Sequence, residues 1–597
     1  MNIVVLDSGC DLSIKALEQY AKYIDLYIFD KSTWKNTQEI NTEKVLRHGT
    51  IVTRIILDNS EKNNLKLSIF RIFDENSVCN VNVLISALSY IYQNIDCDII
   101  HMSLGVRTYN RELERICYQL YKKGIIIVSA FDNAGAVSYP AGFEFVIGVV
   151  GSVRCQLSSD YVVLYNSIID FKAKIGMQQQ LEISDGSKIL DAGNSLAAPY
   201  ITALINNLNP KTNDILTIKE LLENNAKYVY KYTKKNTLKR PQIIKAAVFP
   251  FNKETQNILN YEEELYFEVV DFYDVKYLGN LGRNHTSIFS ERNFVIKDYK
   301  YINWDSFDTL IIGHLEELSV LCKKNLKQEI LDKCLLENKN VFCFDDFETS
   351  EYRNLFLQKG LTFFCPNDCI IPNPKFGMLY QFITPILTVF GTSKKQGKFT
   401  LQLEIRKVLK KHGIDVGQIG TEPNSILFGM EQAVPFGYFG IRHSNSEMIE
   451  LINNEVNIVD RENHDIIVIG SQSGFGPERY YNTRQIMLEQ YSLLFAAPPD
   501  GVILAVNIQD PISLIQHTIQ SIELIGNTKV FLLALYAFDV TYDYIINSKK
   551  QPLTKKQIDE FRVKVKKHFN LDVIVIGEHE DSEKLFNSII TYFCGGK

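Results

Sequence analysis

The chain has 597 residues, of which 46% are hydrophobic and 22% charged, and it carries a formal net charge of -6. This composition is that of a soluble globular protein and excludes an intrinsically disordered one, and the length predicts about three or four domains. The negative balance argues against a nucleic-acid partner bound by a basic surface. No stretch approaches the ~20 apolar residues of a membrane span, so we expect no membrane partner.

A buried parallel strand is predicted at residues 1–6, which places Asp7 at its carboxyl end. His48 opens a predicted helix whose apolar residues recur at helical spacing, and Ser195 opens another helix that ends near Asn207. In open parallel sheets, functional sites form at the carboxyl ends of the strands. We therefore expect these three distant side chains to converge at such an edge.

An acid, an imidazole and a hydroxyl are the parts of an activated nucleophile, because a serine hydroxyl needs an adjacent base at neutral pH. His48 would accept the proton of Ser195, and Asp7 would hold the imidazole in the required tautomer. The chain order Asp, His, Ser is that of subtilisin. Over roughly its first third, the chain resembles the subtilisin-like serine peptidases. That resemblance implies a catalytic triad and a serine endopeptidase that needs no cofactor for proteolysis.

Two further segments fit this resemblance. After a strand predicted at residues 124–130, Asn133 matches the family's oxyanion-hole asparagine, and the backbone amide of Ser195 would be the second donor. The segment at residues 99–105 resembles the family's strand whose edge amides and carbonyls pair with extended substrate. By this resemblance the peptide-binding residues at its end are Ser103, Leu104 and Gly105.

Three residues depart from the family pattern. Asn194 precedes the nucleophile where threonine is usual, Asp132 precedes Asn133 where glycine is usual, and Ser138 replaces a common glycine. Asp132 and Ser138 would lie near the primary specificity pocket and favour a polar or basic residue before the cut. The alternative is that Asp132 faces solvent. Each motif taken singly also fits an ordinary turn or helix cap.

The eleven cysteines are an odd number and widely scattered, which is typical of a reduced cytoplasmic protein. Cys365 and Cys369 lack the second pair or nearby histidine of a zinc site, so we expect no metal there. The chain opens directly on the predicted catalytic strand, without the basic and apolar regions of a secretory signal. We therefore expect an intracellular protease that needs no maturation and acts on a dedicated peptide.

A lysine-rich stretch at residues 231–240 predicts a solvated linker, and with it a first domain at residues 1–235. From residue 241 predicted strands and helices alternate again, which is typical of a parallel sheet covered on both faces. We predict a Rossmann-like α/β domain at residues 241–380 and a third domain at residues 381–597. The predicted fold class is α/β.

In the third domain, a strand predicted at residues 385–390 runs into a glycine-containing loop and then a helix. This is the arrangement of a phosphate-binding P-loop, in which backbone amides and the helix N-terminus surround the anion. The loop is one residue longer than usual, and Phe399 occupies the usual hydroxyl position, so Thr400 is the expected metal partner. The predicted nucleotide-binding residues are Gly391, Thr392, Ser393, Gly397, Lys398 and Thr400. A plain turn between strand and helix is the alternative.

From about residue 241 the chain resembles the Rossmann-plus-P-loop family that includes D-glutamate N-acetyltransferases. The P-loop itself and the strand at residues 465–469 with the turn at 470–474 carry this resemblance. Ile469 stands where that family has an acidic residue, which normally helps to position magnesium or water. The resemblance therefore implies binding of ATP or GTP with Mg, without fast turnover.

The combination of the two halves is similar to proteins of ribosomal-peptide maturation systems. There the protease would remove the leader of a modified precursor peptide, which we expect as the partner. The alternative is a nucleotide- or acyl-CoA-dependent transferase acting on a peptide or amino acid, with the protease-like domain serving to bind peptide. A homo-oligomer through the C-terminal half is left open.

Overall fold

A computed structural model describes residues 1–30, 33–37, 47–61, 65–74, 78–175, 178–182, 188–231, 241–287, 292–345, 350–366, 378–434, 444–479, 482–486, 488–543 and 547–595. The chain divides into two compact units. Unit 1 is Met1–Lys234 with Asn373–Ile383, and unit 2 is Lys235–Pro372 with Thr384–Lys597. Within the described ranges, no helix has both the length and the apolar character needed to cross a lipid bilayer.

Unit 1 alternates strands with helices. Its strands are β1 (Asn2–Asp7), β2 (Ile24–Asp30), β3 (Thr33–Thr37), β4 (Lys66–Arg71), β5 (Ile99–Met102), β6 (Ile126–Ala130), β7 (Ile147–Ser152), β8 (Val162–Tyr165), β9 (Phe171–Lys174), β10 (Gln178–Glu182), β11 (Lys188–Asp191) and β12 (Tyr228–Lys231). Its helices are α1 (Lys15–Glu18), α2 (Arg47–Asn59), α3 (Val81–Asn94), α4 (Arg111–Lys122), α5 (Asn194–Leu208) and α6 (Ile215–Glu223).

The described strands of unit 1 form a ten-stranded sheet in the order β12-β8-β9-β7-β6-β5-β1-β4-β2-β3, and β10 pairs with β11 separately. Pairing within the large sheet is parallel except between β8 and β9 and between β2 and β3. Along β1, Ile3 and Val5 belong to the core that contains α2 and α5, whereas Val4 and Leu6 belong to the core that contains α3 and α4. The strand is therefore buried on both faces, as expected when helices cover a parallel sheet.

A short segment from later in the chain completes unit 1. Leu379 forms a parallel bridge with Ala136. Its N–H donates to the carbonyl of Gly135 and its carbonyl accepts from the N–H of Val137, each at 3.0 Å. Met378 is buried in the core on the α3 and α4 side of the sheet. Residues 378–380 thus pair with the loop that follows the predicted oxyanion asparagine.

Unit 2 contains the remaining elements. Its strands are β13 (Lys245–Phe249), β14 (Glu268–Asp274), β15 (Asn284–Thr286), β16 (Asn293–Val295), β17 (Lys297–Asp298), β18 (Thr309–Ile312), β19 (Asn340–Cys343), β20 (Phe363–Phe364), β21 (Ile386–Gly391), β22 (Val416–Gly420), β23 (Gln432–Ala433), β24 (Ile466–Ile469), β25 (Pro477–Arg479), β26 (Asn482–Ile486), β27 (Gly501–Val506), β28 (Val530–Leu535), β29 (Phe538–Asp543), β30 (Asn547–Pro552) and β31 (Asp572–Val575). Its helices are α7 (Lys253–Asn260), α8 (Glu316–Cys322), α9 (Leu326–Leu336), α10 (Ser350–Gln358), α11 (Lys398–Lys411), α12 (Asn445–Asp460), α13 (Leu488–Ala496), α14 (Ile512–Gly526), α15 (Lys555–Phe569) and α16 (His579–Phe593).

Two parallel sheets organise unit 2. The described residues give a six-stranded sheet in the order β17-β14-β13-β18-β19-β20 and a seven-stranded sheet in the order β23-β22-β24-β21-β27-β28-β31. One apolar cluster joins them, because Phe272 and Phe342 of the first sheet share a core with Leu403 of α11 and Phe428. The two predicted domains of the second half therefore pack within one unit.

The predicted α/β fold class is confirmed, with parallel sheets in both halves of the chain. The elements predicted around Asp7, His48 and Ser195 correspond to β1, α2 and α5. Lys231 ends β12, and residues 232–240 of the predicted linker lie outside the described residues. The domain boundaries at 235, 241 and 380 stay predictions. Cys365 is buried, and Cys369 also lies outside the described residues.

Candidate active site

Asp7 is the last residue of β1, and its side chain is fully buried. Its Oδ1 accepts the N–H of Ser8 at 2.7 Å, which fixes the carboxylate at the strand end. The Ser8 hydroxyl in turn accepts the N–H of Gly49 at 3.0 Å, so the start of α2 is held against the end of β1. A Cβ on Gly49 would lie 2.1 Å from the carbonyl oxygen of Gly9, so only glycine permits this close approach.

His48 lies in the first turn of α2 and connects the acid to the hydroxyl. Its Nδ1 is 2.9 Å and 3.1 Å from the two carboxylate oxygens of Asp7, and its Nε2 is 3.0 Å from the Oγ of Ser195. Because an ionised carboxylate only accepts hydrogen bonds, Nδ1 carries the proton and Nε2 is the acceptor for the Ser195 hydroxyl. The three residues that the sequence placed far apart are brought together in the geometry of an activated serine.

Asn133 lies beside the nucleophile. Its side-chain Oδ1 accepts the backbone N–H of Asn194 at 2.7 Å. The backbone N–H of Asn194 thus fixes which side-chain atom of Asn133 is the oxygen and which is the nitrogen. The hydrogens on Nδ2 of Asn133 are the donors that an oxyanion would need. A Cβ on Gly193 would lie 3.0 Å from that Oδ1, so the turn before Ser195 packs closely on Asn133.

Asn194, the first departure from the family pattern, has a structural part. Its Oδ1 accepts the N–H of Gly151 at 2.8 Å, and its Nδ2 donates to the carbonyl of Asp132 at 2.9 Å. The side chain therefore ties the turn that carries the nucleophile to β7 and to the residue before Asn133. A threonine at this position could not make both contacts with one hydroxyl in the same directions.

The Asp132 carboxylate is paired with other groups of the protein. It therefore neither simply faces solvent, as one alternative expected, nor is open to a basic substrate residue. Arg107 donates to it from Nε at 3.1 Å and from Nη2 at 3.3 Å, and the N–H of Ala134 donates at 2.8 Å. Ser138 is fully buried and accepts the N–H of Asp132 at 2.9 Å. The prediction of a basic preference from Asp132 is therefore not supported. No local pattern in the sequence predicts that Arg107 pairs with Asp132.

The segment predicted to pair with substrate comprises β5 and the residues that follow it. β5 is hydrogen-bonded on both sides, to β1 and to β6, so it has no open edge. Only the residues after it are placed to offer backbone groups to an extended peptide. Among them, Gly105 packs against Ser138, where a Cβ would meet the hydroxyl at 2.5 Å, and the Leu104 carbonyl accepts the Ser129 hydroxyl at 3.2 Å. The Ser103 hydroxyl donates to the Ser195 carbonyl at 2.6 Å.

In unit 2 the predicted phosphate loop joins β21 to α11. Lys395 and Gly397 adopt left-handed backbone conformations, with φ of 60° and 73°, and Gly397 caps α11. A Cβ on Gly397 would lie 2.9 Å from the ring of Tyr536, so a larger residue would not fit there. Lys398 opens the helix, and its Nζ donates to the Ser393 carbonyl at 2.8 Å. The loop is curled back on itself, as a phosphate cradle requires.

An acid that the sequence did not reveal lies at this loop. Asp510 follows β27, and its Oδ2 accepts the Thr392 hydroxyl at 2.5 Å and the Gln396 amide at 3.2 Å. Burial raises the pKa of Asp510. Gln396 also accepts the Ser393 N–H at 2.9 Å. A carboxylate therefore stands beside the loop even though β24 ends on the apolar Ile469.

The loop fits a phosphate better than it fits the predicted metal arrangement. The first turn of α11 offers the backbone amides that a phosphate needs, whereas the Ser393 N–H and the Lys398 Nζ would have to exchange their contacts with Gln396 and the Ser393 carbonyl for contacts with the phosphate. The Thr400 hydroxyl, however, is hydrogen-bonded to the hydroxyl of Tyr261, so the prediction of Thr400 as metal partner has no support. No cluster of three or more metal-ligating side chains occurs in the described part of the chain.

Two family models match the chain. Residues 1–244 match the Subtilase family, and residues 378–575 match a domain of unknown function, the DUF1611_C P-loop domain. The description of the second family specifies no activity, so the resemblance to D-glutamate N-acetyltransferases stays a prediction.

Individual relatives follow the same division. Subtilisin DY of Bacillus licheniformis is 26% identical over 142 residues, which cover 22% of this chain and 51% of that protein. The chain therefore spans about half the length of this curated relative. A cold-adapted subtilisin-like serine proteinase is similar in structure, with 18% identity, a TM-score of 0.30, and coverage of 37% of this chain and 81% of its own.

Two further solved structures are similar. The prenylagaramide maturation protease PagA has 18% identity and a TM-score of 0.27, covering 37% of this chain and 80% of its own. A DUF1611 family protein of Anabaena variabilis has 14% identity and a TM-score of 0.43, covering 58% of this chain and 99% of its own. The chain thus joins a subtilase-family domain at its amino terminus to a P-loop domain of the DUF1611 family toward its carboxyl terminus.

Proposed function

We propose that the protein is a serine endopeptidase whose catalytic residues are Asp7, His48 and Ser195. The single observation that carries this proposal is the position of the His48 ring, 2.9 Å from the Asp7 carboxylate and 3.0 Å from the Ser195 hydroxyl. Each contact lies within the reach of a hydrogen bond, which is the requirement for nucleophile activation.

The proposed reaction follows from this geometry. The Ser195 Oγ attacks the scissile carbonyl carbon while His48 Nε2 takes the hydroxyl proton, and Asp7 stabilises the imidazolium that forms. The Nδ2 of Asn133 and the backbone N–H of Ser195 donate to the oxyanion. His48 then gives its proton to the leaving amine, and water hydrolyses the acyl-enzyme by the same steps in reverse.

We infer that the substrate is a dedicated peptide, namely the leader of a ribosomally made and modified precursor. The fusion of the protease domain to a P-loop domain supports this inference, since the second domain offers a further surface that could bind or control one precursor. The pairing of Asp132 with Arg107 removes a free charge near the nucleophile and argues against a simple trypsin-like preference. No disulfide joins two of the described cysteines, in keeping with the proposed reducing cytoplasmic compartment.

The proposal is tested by covalent labelling. The purified full-length protein is treated with a fluorophosphonate, digested, and mapped by mass spectrometry. We expect modification at Ser195 in the wild-type protein and none in the His48→Ala variant, because the base is then missing. Labelling at another serine, or none in a protein shown to be folded by its melting transition, would contradict the proposal.

A second proposed function is nucleotide binding by unit 2. It is favoured by the curled loop around Ser393, the buried Lys398 and the carboxylate of Asp510. When bound, ATP or GTP with Mg would supply a transferable phosphoryl group or a control signal. In the transferase alternative, an acyl-CoA would take that place, and binding of acetyl-CoA in preference to either nucleotide would favour that alternative.

Replacing Lys398 with alanine should weaken nucleotide binding roughly 10- to 150-fold, because a charge-assisted hydrogen bond contributes about 1.5–3 kcal/mol. Isothermal titration calorimetry with ATP and with GTP, each with Mg, measures this change. Lys410→Ala at the exposed far end of α11 is the matched control and should bind as the wild type does. Equal affinity in both variants would mean that the loop does not hold phosphate.

A further inference from the structure

His101 of β5 is fully buried and lies outside the proposed triad. Its Nδ1 is 2.7 Å from the Thr202 hydroxyl, and its Nε2 is 2.8 Å from the Ser103 hydroxyl. The Ser103 hydroxyl is in turn 2.6 Å from the carbonyl oxygen of Ser195, the proposed nucleophile. His101 of β5, Ser103 just after it, and Thr202 and Ser195 of α5 are therefore joined by a continuous series of hydrogen bonds, which we call the His101 relay.

The hydrogen atoms of the His101 relay can be placed without ambiguity. A carbonyl oxygen only accepts, so the single hydroxyl proton of Ser103 points to Ser195. The Ser103 oxygen must then accept from His101, which puts the imidazole proton on Nε2. Nδ1 is left as an acceptor for the Thr202 hydroxyl. Burial lowers the pKa of His101 to about 3, so the ring is neutral at pH 7, as this arrangement requires.

The His101 relay holds helix α5 at two places. Ser195 lies in the first turn of this helix, and Thr202 lies about two turns further along the same face. β5 is a central strand, paired on both sides, so it is a rigid base for the contacts. The neutral imidazole of His101 accepts from the Thr202 hydroxyl at Nδ1 and donates to the Ser103 hydroxyl at Nε2, so one rigid ring links the two.

We propose that His101 is a positioning residue that sets the place of the Ser195 hydroxyl relative to His48, acting through Ser103. This inference rests on the proposed protease function. The attacking oxygen must lie within bonding distance of its base, and a displacement of about 1 Å is enough to cost on the order of 100-fold in rate. The relay constrains the backbone of Ser195 from the end of β5.

The test compares His101→Leu with His101→Gln. Leucine fills the space without hydrogen bonds, whereas glutamine keeps an N–H donor for Ser103. We expect His101→Leu to lower kcat about 10- to 100-fold with KM changed less than twofold, and glutamine to recover at least part of that loss. The substrate is the fluorogenic peptide that the wild-type protein cleaves fastest from a positional-scanning library, and the rate of fluorophosphonate labelling should fall in parallel.

Several controls make the result decisive. His517→Leu at an exposed position of unit 2 should leave the labelling rate unchanged. If His101→Leu does not fold, Ser103→Ala and Thr202→Val carry the test, since each breaks the relay while keeping the imidazole. The losses of Ser103→Ala and His101→Leu should not add in the double variant. An unchanged kcat in folded relay variants overturns this inference, whereas a wild-type protein that is never labelled overturns the proposed function instead.

Discussion

Ser195→Ala will lower kcat/KM for peptide cleavage by about 10⁴- to 10⁶-fold, the loss seen when a triad nucleophile is removed. The reason is local, since the hydroxyl that lies 3.0 Å from His48 Nε2 is the atom that would form the acyl-enzyme. The carbonyl and amide of the residue remain, so the contact from Ser103 and the start of α5 are kept. We therefore expect the melting temperature to stay close to that of the wild type.

The measurement is cleavage of the library-selected fluorogenic peptide, followed by mass spectrometry of the products. Ser13→Ala is the matched control, because Ser13 is an exposed serine of unit 1 that bonds to Asp11. That variant should retain full activity. If Ser195→Ala kept cleavage within tenfold of the wild type, the serine mechanism would be wrong, and the alternative of a peptide-binding domain would gain support.

Asp7→Asn will lower kcat by about 10⁴-fold at pH 7 while changing KM little. An asparagine can still accept the Ser8 N–H through its oxygen, so the strand end is kept. Its amide group, however, donates toward Nδ1 of His48, which favours the tautomer with the proton on Nε2. That proton then occupies the lone pair that must accept the hydrogen of Ser195.

This prediction is checked by steady-state kinetics and by the second-order rate of fluorophosphonate labelling, which needs the same base. Asp11→Asn is the matched control. It removes the same charge four residues further along the chain, at a residue that bonds to Thr50 and Ser13 and not to His48, and it should behave like the wild type. A Asp7→Asn variant that loses affinity for the peptide but not kcat would place Asp7 in substrate binding instead of in the triad.

The positions of the triad residues could be predicted because each stands at a boundary that local sequence marks. Asp7 follows an apolar strand, and His48 and Ser195 open helices, so the topology of a parallel sheet decides where they meet. Asn133 is predicted from the resemblance to the subtilisin-like peptidases, and it likewise comes shortly after a strand, β6. The placement of these residues depends on elements whose periodicity is readable from one sequence.

The contacts that could not be predicted from the sequence have a common physical origin. The pairing of Arg107 with Asp132, the contact of Tyr261 with Thr400, and the approach of Asp510 to Thr392 each join loops or surfaces that are distant in the chain. Side-chain contacts of this kind depend on tertiary packing and leave no local pattern. The pairing of β5 on both sides likewise depends on the topology of the sheet, because its apolar run reads the same for a central strand as for an edge strand.

The pairing of Leu379 with Gly135 and Val137 makes unit 1 a discontinuous domain. A polypeptide ended at residue 244, where the Subtilase match stops, would lack Met378 from its core, and the carbonyl of Gly135 and the N–H of Val137 would lose their backbone partner. The family match for the P-loop domain begins at this same Met378. The two matched segments are therefore not cleanly separable cassettes, since the first residues of one bridge to a loop of the other and fill its core.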